Sequence, residues 1–213
     1  MGNEPSTTPT RPRNRRGEGA RLRDDIVAAA VELLDEAGSE TAVTLRAVAR
    51  RVGIAAPSIY RHFPDQPAIM LAVVRQAFDQ LEAQLRAALD AAGADPRQRL
   101  FAVSHAYLGF SQDHPERYRT MFGGLWVPAL QGTTVTVSDM EAVGQASLQL
   151  LTETLGACVT AGQATSTDVY ADTVALWLGL HGLAHQRAVT VAFPWPPDIA
   201  DRLITTLAHL KSA

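Results

Sequence analysis

The sequence predicts an all-α protein with an N-terminal unit of three short helices and a C-terminal helical bundle. Apolar residues recur at intervals of three and four residues along most of the chain after residue 21, which is the spacing of an amphipathic helix. Glycine and proline interrupt this pattern at points where helices are expected to begin or end. The only run that favours a strand, residues 133–137, has no partner strand.

The first 20 residues form a predicted disordered arm that is rich in arginine. They contain proline, glycine, serine and threonine but no apolar periodicity, so they cannot bury a core. Within them, Arg11, Arg13, Arg15 and Arg16 follow one another with no acidic residue between them. Such an arm is suited to contacts with phosphates or a narrow minor groove, and the alternative is a solubilising tail.

The first helix is predicted over residues 21–37, because its apolar positions share one face and Gly38 follows the last of them. Thr44 is a suitable N-cap for a second helix that stops at Gly53. A third short helix is predicted over about residues 56–62, with a proline in its first turn, where the missing N–H costs nothing. Two short helices joined by a glycine turn form a helix-turn-helix.

The remaining pattern predicts a bundle of longer helices. A connecting helix follows residue 67 and ends at Gly93, and residues 123–137 are predicted to form a mobile loop. The other predicted helices cover residues 96–113, 115–123, 138–161, 167–191 and 198–210. The predicted domains are therefore the arm at residues 1–20, the helix-turn-helix at 21–66 and the bundle at 67–213.

The composition favours a globular cytoplasmic protein. The chain is 46% hydrophobic and 19% charged and has one cysteine, which argues against disorder and against an internal disulfide. No apolar run reaches the roughly 18 residues of a membrane span, and the N-terminus lacks an apolar secretory segment. There is no glycine-rich phosphate loop, nucleophile elbow or apolar pair of carboxylates, so we expect neither catalysis nor a cofactor.

The basic residues concentrate towards the N-terminus. The net charge of −3 argues against a nucleic-acid-binding protein when the chain is taken as a whole. However, residues 1–63 contain ten arginines against eight acidic residues, and the rest of the chain is acidic. This distribution is compatible with a nucleic-acid-binding N-terminal part.

Residues 43–63 combine a threonine cap, an alanine-rich second helix, a turn glycine and a Tyr-x-His-Phe ending. With the acid-Ala-Gly ending of the first helix, this segment resembles the DNA-binding signature of the TetR family of repressors. The resemblance implies phosphate contacts from Thr44, Tyr60 and His62. It also implies that five residues lie near base edges in the major groove, namely Arg46, Ala56, Pro57, Ser58 and Arg61.

Some of these assignments have simpler alternatives. Tyr60 and His62 could be half-buried packing residues with a polar tip in water. Of Arg50 and Arg51 on the second helix, at least one is expected to be only a solvated charge.

Two positions depart from the family pattern. Ala55 stands where most members have serine or threonine, so the usual hydroxyl cap of the recognition helix is missing. Gln66 stands where lysine is common, and Pro67 removes an N–H donor. We therefore expect weaker phosphate contacts at this helix terminus, which the arm could compensate.

The C-terminal bundle is expected to form a homodimer. Apolar residues occupy every face of the helix predicted at residues 167–191, which indicates a helix buried on all sides. In a domain of this size the second neighbour is expected to be another subunit. The predicted interface residues, on this helix and the last one, are Leu178, Gly179, Gly182, His185, Leu203, Leu207 and Leu210.

A ligand pocket is expected between the helices of the bundle, because family members pair the DNA reader with a ligand-binding domain. The pattern Trp177-x-x-x-His181-Gly182 also resembles a motif of one subgroup of TetR C-terminal domains. The predicted ligand-binding residues are Tyr107, Phe110, Tyr118, Phe122, Trp126, Trp177 and His181. For each of them ordinary core packing is the alternative. His181 and His185 have chelating spacing but no third ligand, so no metal site is predicted.

The leading functional hypothesis is a repressor that a small molecule releases from a palindromic operator in double-stranded DNA. One alternative is a helical-bundle enzyme that retains a vestigial helix-turn-helix. Another is a non-specific architectural protein, which would bind every duplex about equally.

Overall fold

The computed structural model describes residues 18–124 and 130–212. Within these residues the helices are α1 (Glu18–Ala37), α2 (Leu45–Val52), α3 (Ala56–Ile59), α4 (Gln66–Ala91), α5 (Pro96–Asp113), α6 (Pro115–Phe122), α7 (Val137–Ala142), α8 (Gln145–Thr160), α9 (Val169–Val189) and α10 (Ile199–Leu207). The described segments contain one 3-10 helix, Glu40–Ala42, and one antiparallel bridge, between Ala164 and Leu210. The predicted all-α fold class is confirmed.

Helices α1 to α3 and the start of α4 enclose a small N-terminal core. Ile26, Ala30 and Leu34 of α1 are four residues apart, so they share one face of the helix. Val48 from α2 and Ile59 from α3 are fully buried in the same core. The three helices are therefore held together by apolar burial, while their outer surfaces stay free for contacts with another molecule.

Helix α4 belongs to both cores of the protein. Asp65 caps its N-terminus, because one carboxylate oxygen accepts a hydrogen bond from the backbone N–H of Ala68 at 2.8 Å. Ile69 near its start is buried in the N-terminal core, whereas Leu81 and Leu85 further along are buried in the C-terminal core. At 26 residues the helix is about 39 Å long, which is enough to join the two cores directly.

The C-terminal core lies between α4, α5, α8, α9 and α10. Its largest fully buried side chains are Phe110, Leu81, Leu100, Leu155, Leu176 and Leu180. Cys158 is also buried there, and burial raises the pKa of its thiol to about 11. None of the helices that the structure describes is long and apolar enough to cross a membrane.

Two helix ends near the N-terminus differ from the sequence prediction. Helix α1 begins at Glu18 rather than at residue 21. Helix α3 ends at Ile59 rather than at residue 62, and the chain continues as a turn. In that turn the backbone N–H groups of His62 and Phe63 both donate to the carbonyl oxygen of Ile59 at 2.9 Å.

The single helix predicted over residues 138–161 is wrong, because the chain breaks between α7 and α8. Gly144 at the break has a φ of 77°, a left-handed conformation that glycine adopts without steric cost. A Cβ atom at this position would lie 2.7 Å from the Phe78 ring of α4. The break therefore lets the chain pass closely over α4, a tertiary contact that helical periodicity does not reveal.

Within the single chain only one side of α9 is covered, so the predicted burial on all sides requires a second subunit. Leu176, Leu180 and Leu183 point into the core. On the opposite side, Leu178 is 54% exposed and Val189 is 60% exposed. One face of α9 is therefore apolar but uncovered within the chain.

Two of the predicted interface residues, Gly179 and Leu210, contribute to packing within the chain. A Cβ atom on Gly179 would collide with Leu207 and would lie 3.8 Å from Leu203. The close approach that this glycine permits is therefore between α9 and α10 of the same chain. Leu210 is buried in the C-terminal core, so its side chain is not available to a second subunit.

We predict that replacing Gly144 by alanine destabilises the protein more than the same change at Gly162. Gly162 has a similar φ of 71° but open space around its Cβ position, so Gly162→Ala should cost about 1 kcal/mol from backbone strain alone. Gly144→Ala should cost about 2–4 kcal/mol, because the Phe78 ring must also move. Urea unfolding of both variants measures the difference, and equal losses would show that the ring yields freely.

Candidate DNA interface and ligand cavity

Helix α2 is fixed at both ends by local interactions. The hydroxyl oxygen of Thr44 accepts a hydrogen bond from the backbone N–H of Ala47 at 3.1 Å, which satisfies one of the free N–H groups of the first turn. At the other end Gly53 has a φ of 77°, and its N–H donates to the carbonyl oxygens of Ala49 and Arg50. The turn that joins α2 to α3 therefore depends on the glycine predicted from the sequence.

The surface formed by α2, α3 and the following turn exposes several of the predicted DNA-binding residues. Tyr60 is 57% exposed, Arg46, Pro57 and Arg61 are exposed, and Ala56, Ser58 and His62 are half-buried. Among the described residues, no carboxylate forms an ion pair with Arg46 or Arg61. Their charges are therefore available to a polyanion.

Arg51 has a structural role that the sequence analysis did not assign. Its guanidinium donates to Glu36 at 2.7 Å and to Glu32 at 3.0 Å, so it joins α2 to α1. The hydrogen bond from Arg51 lowers the pKa of Glu36, although desolvation acts in the opposite direction. Of the two adjacent arginines, Arg50 is exposed and forms no ion pair in the described part of the chain.

The two departures from the family pattern have clear structural consequences. No side chain caps the N-terminus of α3, where Ala55 occupies the N-cap position. Gln66 donates from its amide nitrogen to the carbonyl oxygen of Glu40 at 2.8 Å, so it links α4 to the 3-10 helix. The predicted arm residues Arg13, Arg15 and Arg16 lie outside the described residues.

A cavity of about 360 Å³ lies within the C-terminal bundle. Most of its lining is apolar or aromatic, and the break between α7 and α8 forms one edge. The lining residues are Phe78, Leu81, Leu85, Val103, Ser104, Tyr107, Phe122, Glu141, Val143, Gly144, Gln145, Ser147, Leu148, Leu151, Tyr170, Trp177 and Leu180. Its volume is within the range of roughly 300–1,000 Å³ that is usual for small-molecule sites.

A polar cluster borders this cavity. The hydroxyl of Tyr118 lies 2.7 Å from Nδ1 of His181 and 3.2 Å from the hydroxyl of Tyr107. Burial lowers the pKa of His181, with a smaller contribution from His185, and burial raises the pKa of both tyrosines. At neutral pH the three side chains are therefore uncharged, and Nδ1 of His181 shares a hydrogen bond with the hydroxyl of Tyr118.

Ser104 is a cavity residue that the sequence analysis missed. It lies on α5, is 0% exposed and lines the cavity. Its hydroxyl oxygen is buried and has no hydrogen-bond partner among the described residues. An unpaired buried hydroxyl costs free energy, and a single serine in an apolar helix gives no sequence signal of such a role.

The predicted ligand-binding residues fall into three groups. Tyr107, Phe122 and Trp177 line the cavity. Tyr118 and His181 are not among its lining residues but contact it through Tyr107. Phe110 does not line the cavity; it is buried in the core and packs against the His114 ring with centroids 5.1 Å apart. Trp126 lies outside the described residues.

The remaining predicted interface residues lie on α9 and α10. Leu178, Gly182 and His185 are exposed on α9, and Leu203 and Leu207 are half-buried between α9 and α10. Within residues 18–124 and 130–212, no group of three or more His, Cys, Asp or Glu side chains is placed to hold a metal ion.

Two polar contacts connect the N-terminal helices to the C-terminal bundle, and a third joins α4 to α7. The second carboxylate oxygen of Asp65 accepts from the backbone N–H of Thr134 at 2.7 Å. Arg117 of α6 lies 3.3 Å from Asp35 of α1. Arg75 of α4 donates to Asp139 of α7 at 2.8 Å, which ties the edge of the cavity to α4.

Two family models match separate parts of the chain. Residues 26–73 match the model of bacterial regulatory proteins of the tetR family, and residues 100–210 match that of the tetracyclin repressor-like C-terminal domain. The first match contains α2, α3 and the start of α4. The second covers most of α5 and all of α6 to α10, including Trp177 and His181.

The chain is also similar to individual proteins. It is 30% identical over 146 residues to the HTH-type transcriptional activator FasR of Mycolicibacterium smegmatis, covering 67% of this chain and 66% of that protein. It is 37% identical over 79 residues to the HTH-type transcriptional repressor KstR of the same species, covering 37% of each. The chain thus spans less than two thirds of these relatives. The structure of a protein of unknown function from Rhodococcus sp. RHA1 matches with a TM-score of 0.70 and 26% identity, over 88% of this chain and 91% of that one.

We predict that Asp139 stabilises the fold at neutral pH and loses this effect in acid. Hydrogen bonds from Thr136 and Arg75 lower its pKa to about 2, below the value of about 3.9 in an unfolded chain. Because the folded-state pKa is the lower one, the stabilisation is complete above about pH 5 and disappears as the pH falls towards 2. The melting temperature of the wild type should exceed that of Asp139→Asn at pH 7, and the gap should close in acid.

The control is Asp90→Asn, because the exposed Asp90 carboxylate makes no hydrogen bond or ion pair among the described residues. A gap for Asp139→Asn that stays constant from pH 7 to pH 2.5 would contradict the role given to its carboxylate.

Proposed function

Because the chain belongs to the tetR family of bacterial regulatory proteins, we propose that it is a homodimeric repressor that a small molecule releases from operator DNA. In this proposal residues 21–66 read the DNA, residues 1–20 form a basic arm, and residues 67–213 dimerise and bind the ligand. Membership confirms the predicted family and its class, a regulatory protein rather than an enzyme.

The exposed surface of α3 and its following turn is the observation that carries the proposal. Tyr60 and Arg61 extend from a unit whose other side is held by the buried Ile59 and Phe63. A short helix braced in this way fits the major groove, where a guanidinium can donate two hydrogen bonds to guanine. The Arg51 contacts with α1 keep the unit rigid without using the free charge of Arg61.

The uncovered face of α9 supports dimerisation. Leu178, Gly182, His185 and Val189 are exposed and follow one another at intervals of four, three and four residues, so they form one stripe. Among the described residues, no other side chain or helix lies within 4 Å of the position that a Cβ on Gly182 would occupy. Another helix can therefore approach closely there. A second copy of α9 crossing the first at Gly182 would cover this stripe in both subunits.

The contacts between the two cores support coupling of the ligand to the DNA. Phe78 and Leu81 of α4 line the cavity, and Ile69 of the same helix is buried beneath the DNA reader. A ligand that displaces Phe78 and Leu81 would therefore move or tilt α4, on which the DNA-reading helices pack. In a dimer such a tilt changes the spacing of two readers, and a differential affinity of about 1–3 kcal/mol is enough for switching.

We predict that Arg61→Ala weakens specific DNA binding by about 1–3 kcal/mol if Arg61 contacts a base, without affecting the fold. Tyr60→Phe should have a smaller effect, because it removes one hydroxyl contact to a phosphate. The measurement is fluorescence anisotropy on a duplex that the wild-type protein selects from a random library. Arg86→Ala is the control, since Arg86 pairs with Glu82 on α4.

Unchanged affinity in both variants would remove α3 from the DNA interface. Equal binding of the wild type to selected and scrambled duplexes would instead favour a non-specific architectural protein.

We also predict that Gly182→Arg yields monomers and abolishes operator binding at concentrations where the wild type binds. A long cation at the crossing point prevents close approach of the two α9 helices, and one reader alone loses the contacts of the second half-site. Sedimentation with and without operator DNA measures both effects. Ala87→Arg, at an exposed position of α4, is the control. A wild type that stays monomeric when bound to DNA at micromolar concentration would defeat the dimer proposal.

A further inference from the structure

From the lining of the cavity we infer that its ligand is an uncharged, largely apolar molecule with one hydrogen-bonding group, which the hydroxyl of Ser104 holds at the inner wall. This inference rests on the proposed function, since it takes the cavity to be the effector site. It adds the chemical class of the effector, to which neither the family nor the relatives' names assign a charge or a contact.

The first step is the unpaired hydroxyl of Ser104. It is fully buried, it lines the cavity, and no described residue forms a hydrogen bond with it. Buried polar groups in native proteins nearly always have a partner, and exceptions call for an explanation such as a bound ligand. A ligand that carries a hydroxyl, carbonyl or ether oxygen would supply that partner.

The second step is the absence of charge from the inner wall as far as the structure describes it. The polar cluster beside Ser104 consists of Tyr107, Tyr118 and His181, which are neutral at pH 7 for the reasons given above. The other lining residues are aliphatic or aromatic, apart from Gly144, the uncharged Gln145 and Ser147, and Glu141. A carboxylate or ammonium group placed at Ser104 would therefore be desolvated without a counter-charge, at a large cost.

The third step concerns the rim, where charge is balanced and weak. Glu141 is the one charged side chain among the described lining residues, and it is exposed, so water screens it. The first turn of α8 lies at the same edge and has no side-chain cap. Its free backbone N–H groups favour a negative charge on the ligand, whereas Glu141 disfavours one. The rim thus has no strong preference for a ligand of either charge. The inner wall therefore determines whether a charged or an uncharged ligand binds.

The experiment compares four ten-carbon probes that differ in the polar group, namely 1-decanol, decanoate, decylammonium and butylbenzene. Calorimetry at pH 7.5 gives their affinities, and tryptophan fluorescence, to which Trp177 on the cavity wall contributes, gives an independent signal. We expect 1-decanol to bind at least about tenfold more tightly than either ion, because only the ions must bury a charge. Ser104→Ala should weaken 1-decanol by about three- to tenfold and leave butylbenzene unchanged.

The matched control is Ser111→Ala on the same helix. Ser111 donates its hydroxyl hydrogen to the carbonyl oxygen of Leu108 and does not line the cavity, so neither probe should respond to its loss. Tighter binding of decanoate or decylammonium than of 1-decanol would overturn the inference. An equal loss for 1-decanol and butylbenzene in Ser104→Ala would also overturn it, because the change would then act through packing.

The outcomes also separate this inference from the proposed function. If no probe binds, the cavity is not a ligand site, and both the inference and the effector part of the proposal fail. If 1-decanol binds with the expected dependence on Ser104 but leaves the DNA complex intact, the inference stands and the proposed switch fails. If 1-decanol binds as expected and dissociates the DNA complex, both are supported.

Discussion

The fold depends on one helix that is shared by two cores. The N-terminal core encloses Ile69 and the C-terminal core encloses Leu81 and Leu85, all on the continuous α4. A helix resists bending because each backbone hydrogen bond would have to lengthen. The two halves of the chain are therefore mechanically connected, and the contacts of Asp65 and Arg75 add a second connection through the segment that borders the cavity.

Some arginines of the N-terminal unit stabilise its fold, and others carry exposed positive charge. Arg51 lies between two glutamates of α1 and contributes a bridge between helices. Arg23 stacks over the Phe63 ring, with its guanidinium carbon 4.8 Å from the ring centroid, and so covers the edge of the core. Arg46 and Arg61 remain exposed. A basic surface that does not depend on its own structural ion pairs keeps its geometry when a polyanion binds.

The sequence was sufficient where the signal is local. The Thr44 cap, the Gly53 turn and the proline starts of α5 and α6 agree with the structure, because caps and turns depend on neighbouring residues. Prediction failed where the cause lies elsewhere in the chain. The break at Gly144 depends on the Phe78 ring, and Gly179 packs on α10, although its spacing equally suited a contact between subunits. Ser104 was missed because whether a hydroxyl has a hydrogen-bond partner depends on the tertiary structure and not on the local sequence.

The cavity edge is carried by a short piece of chain, residues 137–148, that has no residue in the N-terminal core. Substitutions there can reshape the opening without altering any side chain that faces the proposed DNA surface. The proposed ligand site and the proposed DNA surface are therefore encoded in separate stretches of the sequence. Under the proposed function, descendants of this protein could bind a different ligand while keeping the same DNA sites, provided that Gly144 at the break and Asp139, which anchors α7, are retained.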